Sequence, residues 1–385
     1  MENIKIKSLG PIKEADINFG DLTFFVGQQA SGKSILLQLI KLIADTGLIE
    51  NRLKNHGYVW GTDEDDNLER FFGEGMAGVW TNNTSIAVDS GQYEKKFHLA
   101  KKIRRASEDV ETVFYIPAQR VLCLNYGWPR FFTDFDDSVP FVLRDFSETL
   151  RRYLEIYFNR SDAQVFPLVS NTLNQQLINS FSKSVFYGGA ITVEQQIKKR
   201  LKLQINGLDL PFMTWSTGQK EFIPLLMGFY WLCSTPTGRR LAIDTVIIEE
   251  PEMGLHPEAI KSVLLQIIEL LSRGYKVIVS THSPILLEFA WAFNFLKESK
   301  AGDSALLDLF ELKKSDENGM LVKGILQDKT IRTYFFENKD YKVNVKDISS
   351  LDAGNEDLAV SEWGGLSSFA SKAGDIVSNV VANAK

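Results

Sequence analysis

Apolar positions along this chain follow two periods, and their alternation predicts the architecture. Leu22-Thr23-Phe24-Phe25-Val26 is a nearly continuous apolar run that stops at Gly27, the pattern of a strand buried on both faces. From Ser34 to Ala44 the period lengthens to that of a helix. Ile4-Lys5-Ile6 and Ala15-Asp16-Ile17-Asn18-Phe19 read as short strands about the Gly10-Pro11 turn. After an acidic, poorly periodic stretch over 62–69, residues 84–88 and 93–99 predict a hairpin about Ser90-Gly91, and 111–116 a further buried strand. Strand signals fade between Val139 and Lys199, where 143–158 and 171–181 favour helix. Strand character returns at 201–205 before the Asn206-Gly207 turn. A helix from Lys220, a strand over 242–248, a helix from Glu258 and a strand over 276–280 follow. Beyond Leu312 the periodicity is weak; from Ser349 the tail is rich in Ser, Gly and Ala, with an amphipathic helix expected over 366–381. No internal repeat is visible.

Strands alternating with helices predict an α/β chain with a mostly parallel, covered sheet. The expected division is 1–120 with the first strands, 121–204 as an inserted helical lid or docking subdomain, 205–312 returning to the sheet, and 313–385 as a C-terminal extension. The 385 residues carry a formal charge of -6, which argues against a surface that is basic all over but allows a local basic stripe. Two cysteines, Cys123 and Cys233, have no metal-like spacing and fit a reducing compartment. Met1 to Leu9 alternates lysine with isoleucine, so no cleavable leader is expected. The most apolar stretch, Phe222 to Cys233, holds Pro224 and falls short of the ~20 residues a spanning helix needs. It reads as a buried core helix, and a cytoplasmic protein with no membrane partner is expected.

Gly27-Gln28-Gln29-Ala30-Ser31-Gly32-Lys33-Ser34 fits G-x-x-x-x-G-K-[ST], set between a buried strand and a helix. Glycines let the backbone turn so that successive N–H groups point at phosphate oxygens, and the helix adds its positive end. Lys33 supplies a point charge for the β- and γ-phosphates and the Ser34 hydroxyl a ligand for Mg²⁺. Further on, Thr245-Val246-Ile247-Ile248 delivers Glu249-Glu250-Pro251-Glu252 at a strand's C-terminal end, the end that faces the ligand crevice in a parallel sheet. Neighbours on a strand point to opposite sides. Glu249 is therefore assigned to the Mg²⁺ shell and Glu250 to orienting and deprotonating an attacking water.

Trp215-Ser216-Thr217-Gly218-Gln219-Lys220-Glu221 resembles the ABC signature S-G-G-Q. Glu249-Glu250-Pro251-Glu252-Met253-Gly254-Leu255-His256-Pro257 and Ser280-Thr281-His282-Ser283-Pro284 resemble the E-P-E-x-x-L-H-P and T-H-S-P elements of RecF/OLD-like ABC ATPases. That branch includes many ATPases of anti-phage defence. The resemblance covers roughly 1–120 and 205–290, and it departs at Gln29, Ala30, Thr217 and Glu249, where that pattern has Asn, Gly, Gly and Asp. These departures bear on the hydrolysis rate more than on binding.

The resemblance implies a P-loop NTPase fold of the ABC-ATPase head type, with an antiparallel β subdomain beside the parallel sheet. ATP and Mg²⁺ would be its cofactors. It also implies that Ser216, Gly218 and Gln219 cap the γ-phosphate of ATP held by a partner's P-loop. Signature and P-loop lie on opposite ends of one head, so only a head-to-tail dimer, or a ring of such dimers, would join them. His282 would be the switch histidine at that phosphate, and Gln119 a candidate Mg²⁺-sensing glutamine.

OLD proteins carry a C-terminal nuclease domain, and the residues after His282, few and poor in clustered acids, are not expected to supply one. The expected partner is a separate effector, a nuclease or toxin, regulated by ATP-driven closure. The alternative is a RecF-like DNA-binding ATPase of repair. Its footprint would be Lys95-Lys96, Lys101-Lys102 and Arg104-Arg105, or Lys198-Lys199-Arg200 with Lys202. With an acidic whole and no aromatics interleaved in sequence, these clusters are read as solvated faces. The region between Gln119 and the signature lacks sustained heptads, which excludes a long coiled-coil arm. A transporter subunit fits the motifs least.

Overall fold

The computed structural model describes residues 1–89, 91–93, 110–168, 173–195, 198–235, 238–240 and 242–383. The chain starts with strands β1 (Asn3–Leu9), β2 (Ile12–Asn18) and β3 (Leu22–Gly27), then helices α1 (Lys33–Asn55) and α2 (Glu64–Phe72). Strands β4 (Trp80–Val88), β5 (Gly91–Tyr93) and β6 (Val113–Ile116) follow, then the short pair β7 (Leu124–Asn125) and β8 (Trp128–Pro129). Helix α3 (Phe141–Tyr157), strand β9 (Gln164–Phe166), helix α4 (Gln175–Phe181) and strands β10 (Ala190–Glu194), β11 (Arg200–Ile205) and β12 (Leu208–Pro211) come next. The last part holds α5 (Thr217–Leu232), β13 (Thr245–Glu249), α6 (Pro257–Ser272), β14 (Lys276–Thr281), α7 (Pro284–Glu298), β15 (Ile331–Lys339) and β16 (Lys342–Asp347).

Among the described residues, ten strands join in one sheet of order β5-β4-β1-β2-β16-β15-β3-β14-β13-β6. The β15-β3-β14-β13-β6 block is parallel throughout, whereas β5, β4, β1 and β2 pair antiparallel. This gives an α/β fold, its antiparallel part continuous with the mostly parallel one. Alternate residues of each central strand serve different cores. Phe24, Val246, Ile248, Val277 and Val279 pack on one face with α5, α6 and α7. Phe25, Ile247 and Ile278 pack on the other with α1 and α2. Burial on both faces explains the continuous apolar runs of β3, β13 and β14.

Several expectations change. Residues 313–385 were expected as an extension, but β15 pairs directly with β3 and β16 with β2, so part of that segment is integral to the sheet. The insertion over 121–204 is not helical alone. It carries β9 and β10, which join β11 and β12 in a four-stranded antiparallel sheet. The acidic stretch over 62–69 forms most of α2, because the Asp63 side chain accepts from the Asp65 and Asp66 N–H groups and acids in the first turn favour the helix dipole. Trp363 packs inward, donating from Nε1 to the Leu351 carbonyl at 2.9 Å, while Phe369 is 83% exposed. Residues 94–99, the rest of the expected second hairpin strand, and the first basic cluster lie outside the described residues. So do residues 171–172 of the helix expected over 171–181. No helix among the described residues is long and apolar enough to cross a membrane.

Candidate active site

Sheet register brings the motifs together. Val26 pairs with Thr281, and Ser280 with Glu249, so the ends of β3, β14 and β13 lie side by side. The P-loop, His282 and the two glutamates leave those three ends in turn. The Glu250 N–H donates to the Ser280 carbonyl at 2.9 Å, which ties the two loops.

The P-loop turns on three left-handed or near-left-handed residues: Gly27 at φ 150°, Ala30 at φ 58° and Gly32 at φ 89°. A Cβ on Gly27 would lie 2.8 Å from the Phe336 carbonyl oxygen of β15, so the neighbouring strand dictates that glycine. Gln28, Gln29 and Ala30 form an exposed tip, and Ser31, Gly32 and Lys33 are buried beneath it. The Lys33 ammonium donates to the carbonyls of Gly27 and Gln28, both at 2.9 Å, and to the Ser31 hydroxyl at 3.4 Å. Burial pushes its pKa down to about 8, against the pull of Glu250, Glu249 and Glu252.

Glu249 is 5% exposed. Burial raises its pKa, while the Ser34 hydroxyl and the Ala118 N–H, at 3.3 Å, favour its charged form. Its Oε1 has no hydrogen-bond donor among the described residues. A buried carboxylate oxygen without a donor, beside a serine hydroxyl, fits a hard cation. No group of three metal-ligating side chains gathers among the described residues, so a divalent ion there would also need phosphate oxygens.

Glu250 differs in every respect. Its backbone is left-handed at φ 42°, which turns its side chain away from the strand's alternation. Its carboxyl lies 3.6 Å from His282 Nε2, both side chains being 31% exposed. The neighbouring His282 imidazole, outweighing burial, holds Glu250 below the usual carboxylate range. An ionised carboxylate beside a histidine at a cleft edge suits a general base. Glu252 braces this pair from below: its Oε1 accepts from the His282 N–H at 2.6 Å and the Thr281 hydroxyl at 2.8 Å.

The signature segment starts α5. Ser216 caps it through a reciprocal box with Gln219: the Gln219 N–H donates to Ser216 Oγ at 3.3 Å, and the Ser216 N–H to Gln219 Oε1 at 3.1 Å. Ser216 and Thr217 are exposed, so the helix's positive end opens to the surface. Gly218 packs so tightly that a Cβ would lie 2.7 Å from the Gly254 carbonyl oxygen. Gln119 sits exposed just after Ala118, whose N–H meets Glu249. His256 caps α6, its Nδ1 accepting from the Glu258 N–H at 3.3 Å.

Sequence reasoning missed Arg120. Fully buried, it donates to the carbonyls of Glu221 at 3.0 Å, Glu249 at 3.1 Å, and Glu250 and Pro251 at 3.3 Å. One guanidinium thus fastens the loop after β6, the acidic loop after β13 and the first turns of α5. It is a positioning residue. No spacing rule marks it; the only hint was a cation inside an otherwise apolar and small-residue stretch.

Residues 81–288, more than half of the chain, match the family described as "AAA domain, putative AbiEii toxin, Type IV TA system". The P-loop precedes that span and stands on its own motif and geometry. The Old nuclease of Escherichia phage P2 is 33% identical over 89 residues, a stretch covering 23% of this chain and 13% of that protein. The chain thus spans a small part of that relative's length. Similar solved structures include an SMC head bound to the C-terminal winged-helix domain of ScpA, at 12% identity and TM-score 0.44, covering 90% of this chain and 96% of that one. RecF with ATPrS is similar at 13% identity and TM-score 0.37, covering 74% and 93%. The chain belongs to that AAA-domain family.

Proposed function

We propose that the chain binds and hydrolyses ATP between two head-to-tail copies, as a dimer or a ring of dimers, and that this closure regulates a separate nuclease or toxin in anti-phage defence. The observation that supports the catalytic part is the convergence of Lys33, Ser34, Glu249, Glu250 and His282 at three adjacent strand ends. The exposed, capped start of α5 supports the dimer, since it presents N–H groups outward. Ser34 and Glu249 would hold Mg²⁺, which when bound neutralises charge on the β- and γ-phosphates. Lys33 would release its loop carbonyls for those phosphates. Glu250 would take the proton of the attacking water, with His282 holding its carboxylate ionised and aimed. Ser216, Gly218 and Gln219 of the second copy would bind the γ-phosphate oxygens, and Gln119 would reach the site only on closure. Residues 121–204 would serve as the docking lid. The family's description as a toxin of a toxin–antitoxin system, and the stretch shared with a phage nuclease, support the defence setting.

The test is Glu250→Gln. ATP affinity should stay unchanged while turnover falls about 10²–10⁴-fold, and light scattering with ATP and Mg²⁺ should show a trapped dimer. Normal hydrolysis by this variant would remove Glu250 from its role. A protein that remains monomeric with ATP would remove the two-copy site. Mass spectrometry of what co-purifies with the trapped form addresses the effector.

A further inference from the structure

The basic segment Lys198-Lys199-Arg200 has no aromatic neighbours in sequence, but the fold supplies them. β7 and β8 form a hairpin whose two central residues, Tyr126 and Gly127, both have positive φ, 51° and 86°, as the tight primed turns of hairpins require. Glycine fits there, and a Cβ on Gly127 would lie 2.6 Å from the Phe212 side chain. Tyrosine does not fit: a bulky L-residue in the left-handed region is strained. Local stability would favour asparagine, so the ring's position calls for another reason.

That ring is 61% exposed, and Phe131 beyond the hairpin is 53% exposed. Together with Trp128 they line a groove of about 480 Å³ whose other wall is Lys198, Lys199 and Arg200. The Lys199 ammonium stands 5.5 Å above the Trp128 ring, and the Arg151 guanidinium 4.6 Å from the Phe131 ring. Acidic neighbours are Glu194, paired with Arg200, and Asp134. Among the described residues, Lys198 and Lys199 are in no ion pair. A chain of net charge -6 thus concentrates free cations and exposed rings in one concave place.

We propose that this groove binds single-stranded nucleic acid, with bases stacked on Tyr126 and Phe131 and phosphates met by Lys198 and Lys199. Each half of the pattern narrows the ligand. Lysines alone would suit any polyanion, but exposed flat rings gain from a partner with free π-faces. Unpaired bases offer them and a duplex does not. An acidic peptide would satisfy the lysines and leave the rings unused. The groove is lined by residues of the insertion, and its assignment does not depend on hydrolysis.

The test is fluorescence anisotropy with labelled oligo(dT) and oligo(rU) of about 16 nucleotides, with a duplex and poly-glutamate as competitors. Both single strands should bind, more weakly as salt rises from about 50 to 200 mM. Tyr126→Ala and Phe131→Ala should each weaken binding about tenfold. The Lys198→Glu/Lys199→Glu double variant should weaken it further and lower the salt slope by about 0.7 per lysine. Unchanged unfolding temperature and ATP affinity would show that these surface variants are folded. The proposal is overturned if no strand binds at low salt, or if binding survives all three variants. It is also overturned if the duplex or poly-glutamate competes equally and Tyr126→Ala has no effect, which would leave a plain polyanion site. Binding of only one of the two strands would sharpen it to DNA or RNA.

Discussion

The phosphate cradle and the carboxylate end of the sheet meet at neighbouring strand ends, yet they are held by different means. The cradle is local. Gly27 to Ser34 is one uninterrupted turn whose lysine bonds to carbonyls five and six residues back in its own loop. The carboxylate end is assembled from distant segments. Glu249 and Glu250 come from β13, their brace Glu252 reaches the loop after β14, and Arg120 fastens them to α5 from the loop after β6. If the proposed roles hold, binding should survive damage to the carboxylate end better than turnover does, because the Lys33 contacts to its own loop do not run through Arg120 or Glu252.

Arg120→Ala is the strongest way to break that comparison. It strips several buried carbonyls of their donor and leaves the buried Glu221 carboxyl, already raised by desolvation, without the charge that lowers it. Removing one side of a buried charged network costs about 3–5 kcal/mol, readable as a lowered urea midpoint. Turnover should fall far more than ATP affinity, and Arg120→Lys should restore stability only in part, since an ammonium cannot span the carbonyls a fork reaches. Equal losses in turnover and affinity would mean that the two regions are one unit.

Lys33→Ala probes the cradle from the other side. Losing one charged contact to phosphate should weaken ATP binding by about 10- to 100-fold in calorimetry, with little change in unfolding. The same lysine gives a pH signature. Because burial lowers its pKa to about 8, ATP affinity of the free protein should decline as pH rises through that value, and the decline should vanish in Lys33→Ala. A decline that persists in the variant would assign the titration to another group.

Legibility follows the same division. The cradle, the glutamates, the capped signature helix and His282 were readable because each is a short run whose spacing encodes its geometry. Arg120 was not, because its partners are carbonyls, which no side-chain pattern announces. β15 and β16 were missed for a related reason. Ile331–Lys339 mixes buried Thr333 with half-buried Phe335 and carries charges at its end, so neither period stands out, and its place beside β3 is set by the sheet rather than by its own sequence. The aromatics beside Lys198–Arg200 were invisible along the chain because Tyr126 and Phe131 reach them only through the fold.

His282→Ala sharpens the carboxylate side. A general base works while ionised, so activity is lost as pH falls through its pKa. The His282 contact lowers the Glu250 pKa and thereby keeps the base competent into mild acid. Removing the imidazole should move the acid limb of kcat/KM to higher pH, beyond any drop in the plateau rate. A limb that stays put would separate His282 from Glu250 function, however close the two side chains lie.

The smallest expected effect lies in the cradle itself, at Ala30. Its φ of 58° is left-handed, where an L-residue costs about 1–2 kcal/mol. Ala30→Gly removes that strain but adds freedom to the unfolded chain worth about 0.4–1 kcal/mol, so a net stabilisation of at most about 1.6 kcal/mol should appear in denaturant titration. Gly32→Ala should go the other way. Its φ is 89°, and its new Cβ would meet Pro11 Cγ at 2.9 Å and Ile12 Cγ1 at 3.0 Å. Opposite signs two residues apart would show what the cradle demands. A side chain is tolerated at the exposed tip, at a modest strain, and refused where the loop presses on the β1–β2 turn. If Ala30→Gly stabilised the fold but weakened ATP binding, the strained alanine would be holding the loop in its phosphate-ready shape, and even the local half of the site would then depend on more than its glycines.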